Sequence, residues 1–209
     1  RPGLPRERRV KAMDRRLDLL GGFAMSLGGA PAAPAARKAR ALLALLAAAR
    51  RRSLPRARLA ALLWERADAE GARASLRQAV AQVRRAGGEG WILSEADALT
   101  LAPSVATDLA EFAEALARGD DAAAARLYAG PFVEDLAPGG ADLEAALAAE
   151  RARLADLAAG ALRRELDRLG PRAEGAQAAH RLLSLDPLDE AAHRRLMEWD
   201  AGRGARGAA

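Results

Sequence analysis

The spacing of apolar residues changes its period twice along the chain, and this order most restricts the folds open to it. From residue 35 to 86, leucine and valine recur three and four positions apart, which is typical of amphipathic helices. Between residues 91 and 101 the period becomes two, which indicates a pair of short strands. Beyond residue 107 the helical period returns and continues. The chain is therefore predicted to be mainly α, with a β-hairpin dividing two helical regions.

The first region has the element order of a winged helix-turn-helix. Apolar runs from residue 17 to 27, bounded by the pairs Gly21-Gly22 and Gly28-Gly29, predict short strands. Three short helices follow, and the third, Ala72–Ala86, is the one that enters the major groove in this fold. Before that helix, residues 66–71 are predicted to form a turn. The wing is predicted as strands 91–93 and 99–101 around the loop 94–98.

The second region predicts helical hairpins of the tetratricopeptide type, with a change of domain near residues 103–108. We expect Asp186 to cap the last helix and Pro187 to occupy its first turn. That helix has no helical partner after it in this chain. Its apolar stripe is therefore expected to pack on the preceding helix and remain partly exposed, or to be covered by another copy; the stripe consists of Leu188, Ala192, Leu196 and Trp199. The predicted divisions are a flexible basic leader at 1–16, a winged helix-turn-helix at 17–103, a helical domain at 108–202 and a flexible tail at 203–209.

Charge is distributed unevenly between the two regions. Residues 1–90 contain 20 Lys and Arg against 7 Asp and Glu, a net charge of +13, whereas residues 91–209 have a net charge of −8. This asymmetry favours a first region that faces nucleic acid and a second that does not contact phosphate. The alternative is a solvated surface rich in arginine because of a biased composition.

The third helix has side chains suited to reading base edges. With Leu76, Val80 and Val83 directed inward, its opposite face has no acidic residue between positions 72 and 86. Arginine suits guanine, glutamine suits adenine and alanine fits beside thymine methyl groups. The candidate base-reading residues are Ala74, Arg77, Gln78, Ala81, Gln82 and Arg85. The candidate phosphate-binding residues are Arg37, Lys38, Arg40, Arg50, Arg51, Arg52, Arg56, Arg58 and Arg84.

Nothing in the sequence indicates catalysis or a cofactor. There is no cysteine, and the two histidines, His180 and His193, have no thiol partner, so no metal site is predicted. The glycine pattern at 202–207 follows a helix rather than a strand, which argues against a nucleotide-binding loop. No apolar run is long enough to cross a membrane and no secretory signal is evident, so we expect a cytoplasmic protein without membrane contact.

Several segments, in order, resemble the bacterial antibiotic-regulatory (SARP-type) activators. In the first region these are residues 19–23, 37–46, 58–64, 74–80 and 83–85. In the second region they are residues 127–136, 149–154 and 185–193. The resemblance implies an OmpR-type winged helix joined to a bacterial transcriptional activator domain. It also implies activation of transcription and binding to repeated half-sites in double-stranded DNA. We expect the acidic helical domain to supply protein contacts, with another copy of the chain, with RNA polymerase or with further domains.

Two departures from that family keep alternatives open. The wing loop carries Glu95 and Asp97 but no cation, so contact of the wing tip with the minor groove is not expected. The third helix is also cut short at Gly87-Gly88. A protein-interaction module with a degenerate winged helix, and the regulatory N-terminal part of a larger signalling protein, are the alternatives.

Overall fold

A computed structural model describes residues 14–137 and 139–202. The helices are α1 Arg37–Ala48, α2 Arg56–Leu63, α3 Ala69–Gly87, α4 Asp108–Ala117, α5 Asp121–Leu127, α6 Ala141–Leu169, α7 Ala173–Leu185 and α8 Glu190–Gly202. The strands are β1 Arg15–Asp18, β2 Ala24–Leu27, β3 Ala30–Pro31, β4 Ser53–Pro55, β5 Ile92–Ser94, β6 Ala98–Leu101 and β7 Val105–Thr107. The predicted order of a winged helix followed by helical hairpins is confirmed. Most of the predicted leader, and the whole of the predicted tail, lie outside the described residues.

The first sheet, in the order β3-β2-β1-β7, joins the beginning of the chain to the end of the wing. The strand β1 pairs antiparallel with β2 and parallel with β7. Two sequence predictions change here. Arg15 and Arg16 belong to β1 rather than to a flexible leader, and Arg16 donates to Glu111 of α4 at 2.7 Å. The predicted domain change at 103–108 contains β7, because its backbone completes the sheet around β1.

The second sheet, β4-β6-β5, contains the predicted wing and one strand that was not predicted. The hairpin of β5 and β6 pairs Ile92 with Leu101, and β4 adds to its free edge. Trp91 is buried at the base of the hairpin, where its Nε1–H donates to the Gly87 carbonyl at 2.9 Å. This bond fixes the wing to the end of α3.

Two helix starts differ from the sequence predictions because of capping. The helix α3 begins three residues earlier than predicted, since the Asp68 carboxylate accepts the Gly71 N–H at 2.7 Å and so caps the segment predicted as a turn. At α8 the capping carboxylate belongs to Asp189, which accepts the Ala192 N–H at 2.9 Å. Asp186 ends α7 instead and accepts from Arg163 at 2.8 Å.

One hydrophobic core extends through both regions. It contains Leu42 of α1 and Leu76 of α3, and continues without interruption to Phe112 of α4 and Leu154 of α6. A second, smaller core lies between α6, α7 and α8. The winged helix and the first helical hairpins are therefore packed together as one unit rather than joined by a linker.

The junction between the two regions is held by backbone groups. The buried Asp108 carboxylate accepts the N–H groups of Leu19 and Leu20, each at 2.7 Å, and also that of Leu109 at 2.8 Å. Burial raises the pKa of Asp108, and these three donors act in the opposite direction. Beyond β1, the chain pairs with the loop after α5, where the Val133 N–H donates to the Leu19 carbonyl at 2.8 Å.

At α8, the end of the helical region away from the winged helix, apolar side chains remain partly exposed, as the sequence predicts. The helix α8 buries Ala192 alone among its residues, while Leu196 and Trp199 are half-buried. Leu188, just before the helix, is 86% exposed. The contrast with the tight junction at Asp108 shows that the helical region is anchored at its winged-helix end.

Candidate nucleic-acid interface

The helix α3 has the inward and outward faces predicted from its sequence. Leu76, Val80 and Val83 are all buried in the core, and α3 packs on α1 and α2. Because these residues fix the rotation of the helix, the positions opposite them must face away from the core. Asp68 and Glu70 lie at its start, where the helix dipole favours negative charge, and Arg84 and Arg85 lie in its last turn, where the dipole favours cations.

The outward face of α3 is accessible over most of its length. Four predicted base-reading residues are exposed: Arg77, Gln78, Ala81 and Arg85. The other two, Ala74 and Gln82, are half-buried. Sequence reasoning missed Arg73, which is exposed one turn before Arg77 on the same side of the helix. The signal was present, since four-residue spacing places both arginines together, but the outward face was read from position 74 onward.

The charges on this face are not neutralised. Among the described residues, Arg73, Arg77 and Arg85 have no carboxylate partner and no hydrogen-bond acceptor in the protein. Arg84, predicted to bind phosphate, pairs with Glu89 at 3.2 Å, and both side chains are substantially exposed. From Gly71 to Gly87 the helix has no acidic side chain. The face therefore attracts anions.

A cleft of about 790 Å³, here called the wing-side cleft, lies along one shoulder of α3. Arg56, Arg73 and Arg77 line it together with three acidic residues, Glu65, Asp142 and Asp97 of the wing tip. The Arg56 backbone N–H donates to the Asp97 carbonyl at 2.8 Å, which sets the distance between α2 and the wing. Three cations and three carboxylates thus share this cleft.

A groove of about 480 Å³, here called the loop-side groove, lies along the other shoulder. Its walls include Ser75, Gln78 and Gln82 of α3, and Arg37 and Lys38 at the beginning of α1. Burial lowers the pKa of Lys38, and the neighbouring carboxylate of Glu65 raises it. The groove brings two predicted base-reading glutamines next to two predicted phosphate-binding cations. Its last wall is formed by Ala137 and Gly139, from the loop before α6.

The remaining predicted phosphate-binding residues are dispersed. Arg40 is half-buried over the Phe23 ring and donates to the Pro34 carbonyl at 2.7 Å. Arg52 donates to the Val105 carbonyl at 2.7 Å, and burial lowers its pKa. Both guanidinium groups are hydrogen-bonded to backbone carbonyls within the fold and therefore do not belong to the candidate interface.

The structure does not bring the arginine run 50–52 to α3. Arg50 and Arg51 are exposed, but they follow the C-terminal end of α1, whereas the N-terminal end of α1 lines the loop-side groove. Arg58 is exposed on α2 outside both concave surfaces. The candidate interface therefore consists of the outward face of α3, including Arg73, together with the first turn of α1 and Arg56.

Comparison with known families agrees with this architecture. Residues 96–209, more than half of the chain, match the model of the bacterial transcriptional activator domain. The chain belongs to the bacterial transcriptional activator domain family. This membership confirms the predicted activator domain and points to a regulatory protein rather than an enzyme. No curated protein matches the chain.

Among solved structures, this activator-domain protein resembles Mycobacterium tuberculosis EmbR in complex with a low affinity phosphopeptide. The two share 22% sequence identity with a TM-score of 0.51, over 92% of this chain and 60% of the EmbR chain. The likeness supports the fold, and the chain spans about three fifths of the length of the EmbR chain. Together the two matches confirm the predicted SARP-type arrangement of winged helix and activator domain. Within the described residues, no helix has both the length and the apolar character needed to cross a membrane.

Proposed function

We propose that this activator-domain protein is a sequence-specific DNA-binding regulator that reads the major groove with α3. The observation that carries the proposal is the outward face of α3, where Arg73, Arg77 and Arg85 are exposed without acidic partners beside Gln78. An ordinary surface helix mixes charges of both signs, whereas this one has cations and amides that match phosphate oxygens and base edges.

The rest of the winged helix supports the same orientation. Arg56 lies on one side of α3, and Arg37 and Lys38 lie on the other, so cations flank the base-reading face on both sides. Phosphate contacts of this kind fix a protein on the duplex, while the central residues read sequence. In this proposal residues 17–103 supply DNA contacts and residues 108–202 supply protein contacts, with RNA polymerase or with a second copy of the chain.

One observation favours a second candidate, the protein-interaction module. The wing tip presents Glu95 and Asp97, both exposed, and a wing of that charge is repelled by the minor groove. If the helical region alone were functional, the chain would bind protein partners and show no salt-dependent affinity for DNA.

The test is the affinity of the whole chain for duplex DNA measured over a range of salt concentrations. Sites are first selected from random-sequence duplexes, and Kd is then measured for a selected and an unselected duplex. If roughly six phosphates are neutralised, the slope of log K against log salt should be about −5 for both duplexes. A slope near zero, or failure to select any motif, would contradict the proposal and favour the protein-interaction module.

A further inference from the structure

A pocket of about 220 Å³, here called the junction pocket, lies where the winged helix meets the helical region. Its walls come from the end of α1, the end of β7, the helix α4 and the middle of α6. Apolar side chains dominate the lining, among them Leu109, Phe112, Leu116, Leu154 and Leu157. Sites for drug-sized ligands have about 300–1,000 Å³, so this pocket fits a smaller molecule. It has no lining residue in common with the two concave surfaces beside α3.

Arg52 also lines the junction pocket, and its charge is not compensated. Its Nη2–H donates to the Val105 carbonyl at 2.7 Å, whereas its Nε–H is buried and has no acceptor within the described residues. Burial lowers the pKa of Arg52, and no described carboxylate offsets this effect. Two other charged residues line the pocket, Glu150 and Arg153, and they neutralise each other, since the Arg153 Nε–H donates to Glu150 at 2.9 Å. The lining of the pocket is therefore positive on balance because of Arg52.

The backbone that carries Arg52 is strained. Arg51 and Arg52 both lie in the left-handed region, with φ angles of 61° and 57°, which residues other than glycine rarely adopt. They connect α1 to β4, and from this turn the Arg52 side chain reaches both Val105 of β7 and the junction pocket. Strained residues of this kind cluster at ligand-binding and active sites. The strain supports a role for Arg52 in binding a ligand.

We infer that the junction pocket binds a small molecule that has a short apolar body and one carboxylate. The apolar body packs on Leu116 and Leu157, which are both partly exposed, and this burial of apolar surface is favourable. The carboxylate supplies the countercharge that Arg52 lacks, through a charge-assisted hydrogen bond. Because the walls of the pocket come from both regions, the bound molecule contacts both and adds a link between them.

The experiment compares two probes, hexanoate and 1-hexanol, which have the same chain length and differ in the carboxylate. Kd of the whole chain for each probe is measured by titration calorimetry at neutral pH. Leu157→Glu places a negative charge at the pocket, where this leucine is 39% exposed. The matched control, Ala148→Glu, adds the same charge at an exposed position nine residues earlier on α6, which is the opposite side of the helix. Arg52→Gln removes the charge of Arg52 and retains an amide that can donate a hydrogen bond.

We expect hexanoate to bind wild type at least about tenfold more tightly than 1-hexanol, because only hexanoate pairs with Arg52. Leu157→Glu and Arg52→Gln should each weaken hexanoate binding by roughly tenfold and change 1-hexanol binding by less than about threefold. Ala148→Glu should stay within about twofold of wild type for both probes. Thermal unfolding shows whether Arg52→Gln is folded; if it is not, Leu157→Glu decides.

Three outcomes would overturn the inference: equal Kd values of wild type for the two probes, no binding of hexanoate at millimolar concentrations, or an unchanged hexanoate Kd in Leu157→Glu. None of these measurements involves DNA. Failure of the junction pocket to bind hexanoate therefore leaves the proposed function standing, and failure of DNA binding leaves the junction pocket to be judged by its own titrations.

Discussion

Arginine is abundant in both regions, but the two regions use it differently. In the part of the helical region that the structure describes, six arginines pair with carboxylates, and most of these pairs are short, as in Arg164 with Asp121 at 2.8 Å. The six are Arg118, Arg153, Arg163, Arg164, Arg168 and Arg195. On α3, by contrast, Arg73, Arg77 and Arg85 have no such partner within the described part of the chain.

The positions of the acidic side chains, more than the number of arginines, decide how many guanidinium groups remain available to an anionic ligand. An arginine paired inside the protein contributes a little stability and leaves hardly any field for a ligand. An arginine without a carboxylate partner forms no ion pair within the fold, so its guanidinium group remains available to a phosphate. The net charge of each region reflects this difference only indirectly.

The largest effect is expected where the two regions meet. Replacement of Asp108 by Ala leaves the N–H groups of Leu19, Leu20 and Leu109 without acceptors and should lower the free energy of unfolding by about 3 kcal/mol. Denaturant unfolding of Asp108→Ala measures this loss. The control Asp167→Ala, at an exposed site on α6, should remain within about 0.5 kcal/mol of wild type. Equal stability of the two variants would show that the regions are not coupled through Asp108.

The next largest effect is a difference in DNA affinity between charge reversals at unpaired arginines of α3 and at unpaired arginines of the helical region. The double variant Arg73→Glu/Arg77→Glu should weaken DNA binding by roughly 100-fold at physiological salt, because attraction to phosphate becomes repulsion. The matched control is Arg126→Glu/Arg172→Glu, which makes the same change of charge at exposed sites in the helical region. We expect the control to change Kd by less than about threefold. Similar losses of DNA affinity for both double variants would show that only the net charge of the protein matters, and not the position of the arginines.

A smaller effect distinguishes two residues of the loop-side groove. Gln78→Ala should relax preference at one base pair, worth about 1–3 kcal/mol of discrimination, with little change in binding to unselected DNA. Arg37→Ala should weaken all duplexes alike and make the salt slope shallower by about one unit. Site selection with wild type and both variants tests this. An unchanged motif for Gln78→Ala would mean that another face of α3 reads the bases.

The smallest effect lies in the helical region. Arg153 pairs with Glu150 three residues before it, and the arginine side chain is 56% exposed. Arg153→Gln should therefore cost no more than about 0.5 kcal/mol of stability and leave DNA affinity unchanged. Thermal unfolding and duplex titration of the same sample measure both quantities. A loss of affinity here would contradict the division of roles between paired and unpaired arginines.

Local pattern was sufficient to predict the helices, the wing and the rotation of α3, since each depends on residues close in sequence. It was insufficient for β7 and Asp108, which bind a segment some 90 residues earlier in the chain. The engagement of Arg40 and Arg52 depends on carbonyl groups that the tertiary fold brings to them. Asp68 could have been recognised as a cap, because an alanine and Glu70 follow it as a first helical turn.

The pairing of residues 19–23 with the loop after α5 limits where this chain can be cut or joined to a segment of a relative. Leu20 bridges to Phe132, and the Gly21 N–H donates to the Pro131 carbonyl at 3.1 Å. A fragment ending at Pro103 would lack β7 and this loop, leaving one edge of β1 bare and prone to self-association. A chimaera that exchanges the winged helix with that of a relative would have to carry residues 105–136 along with it. The segment that must be exchanged as one unit is thus larger than the winged helix.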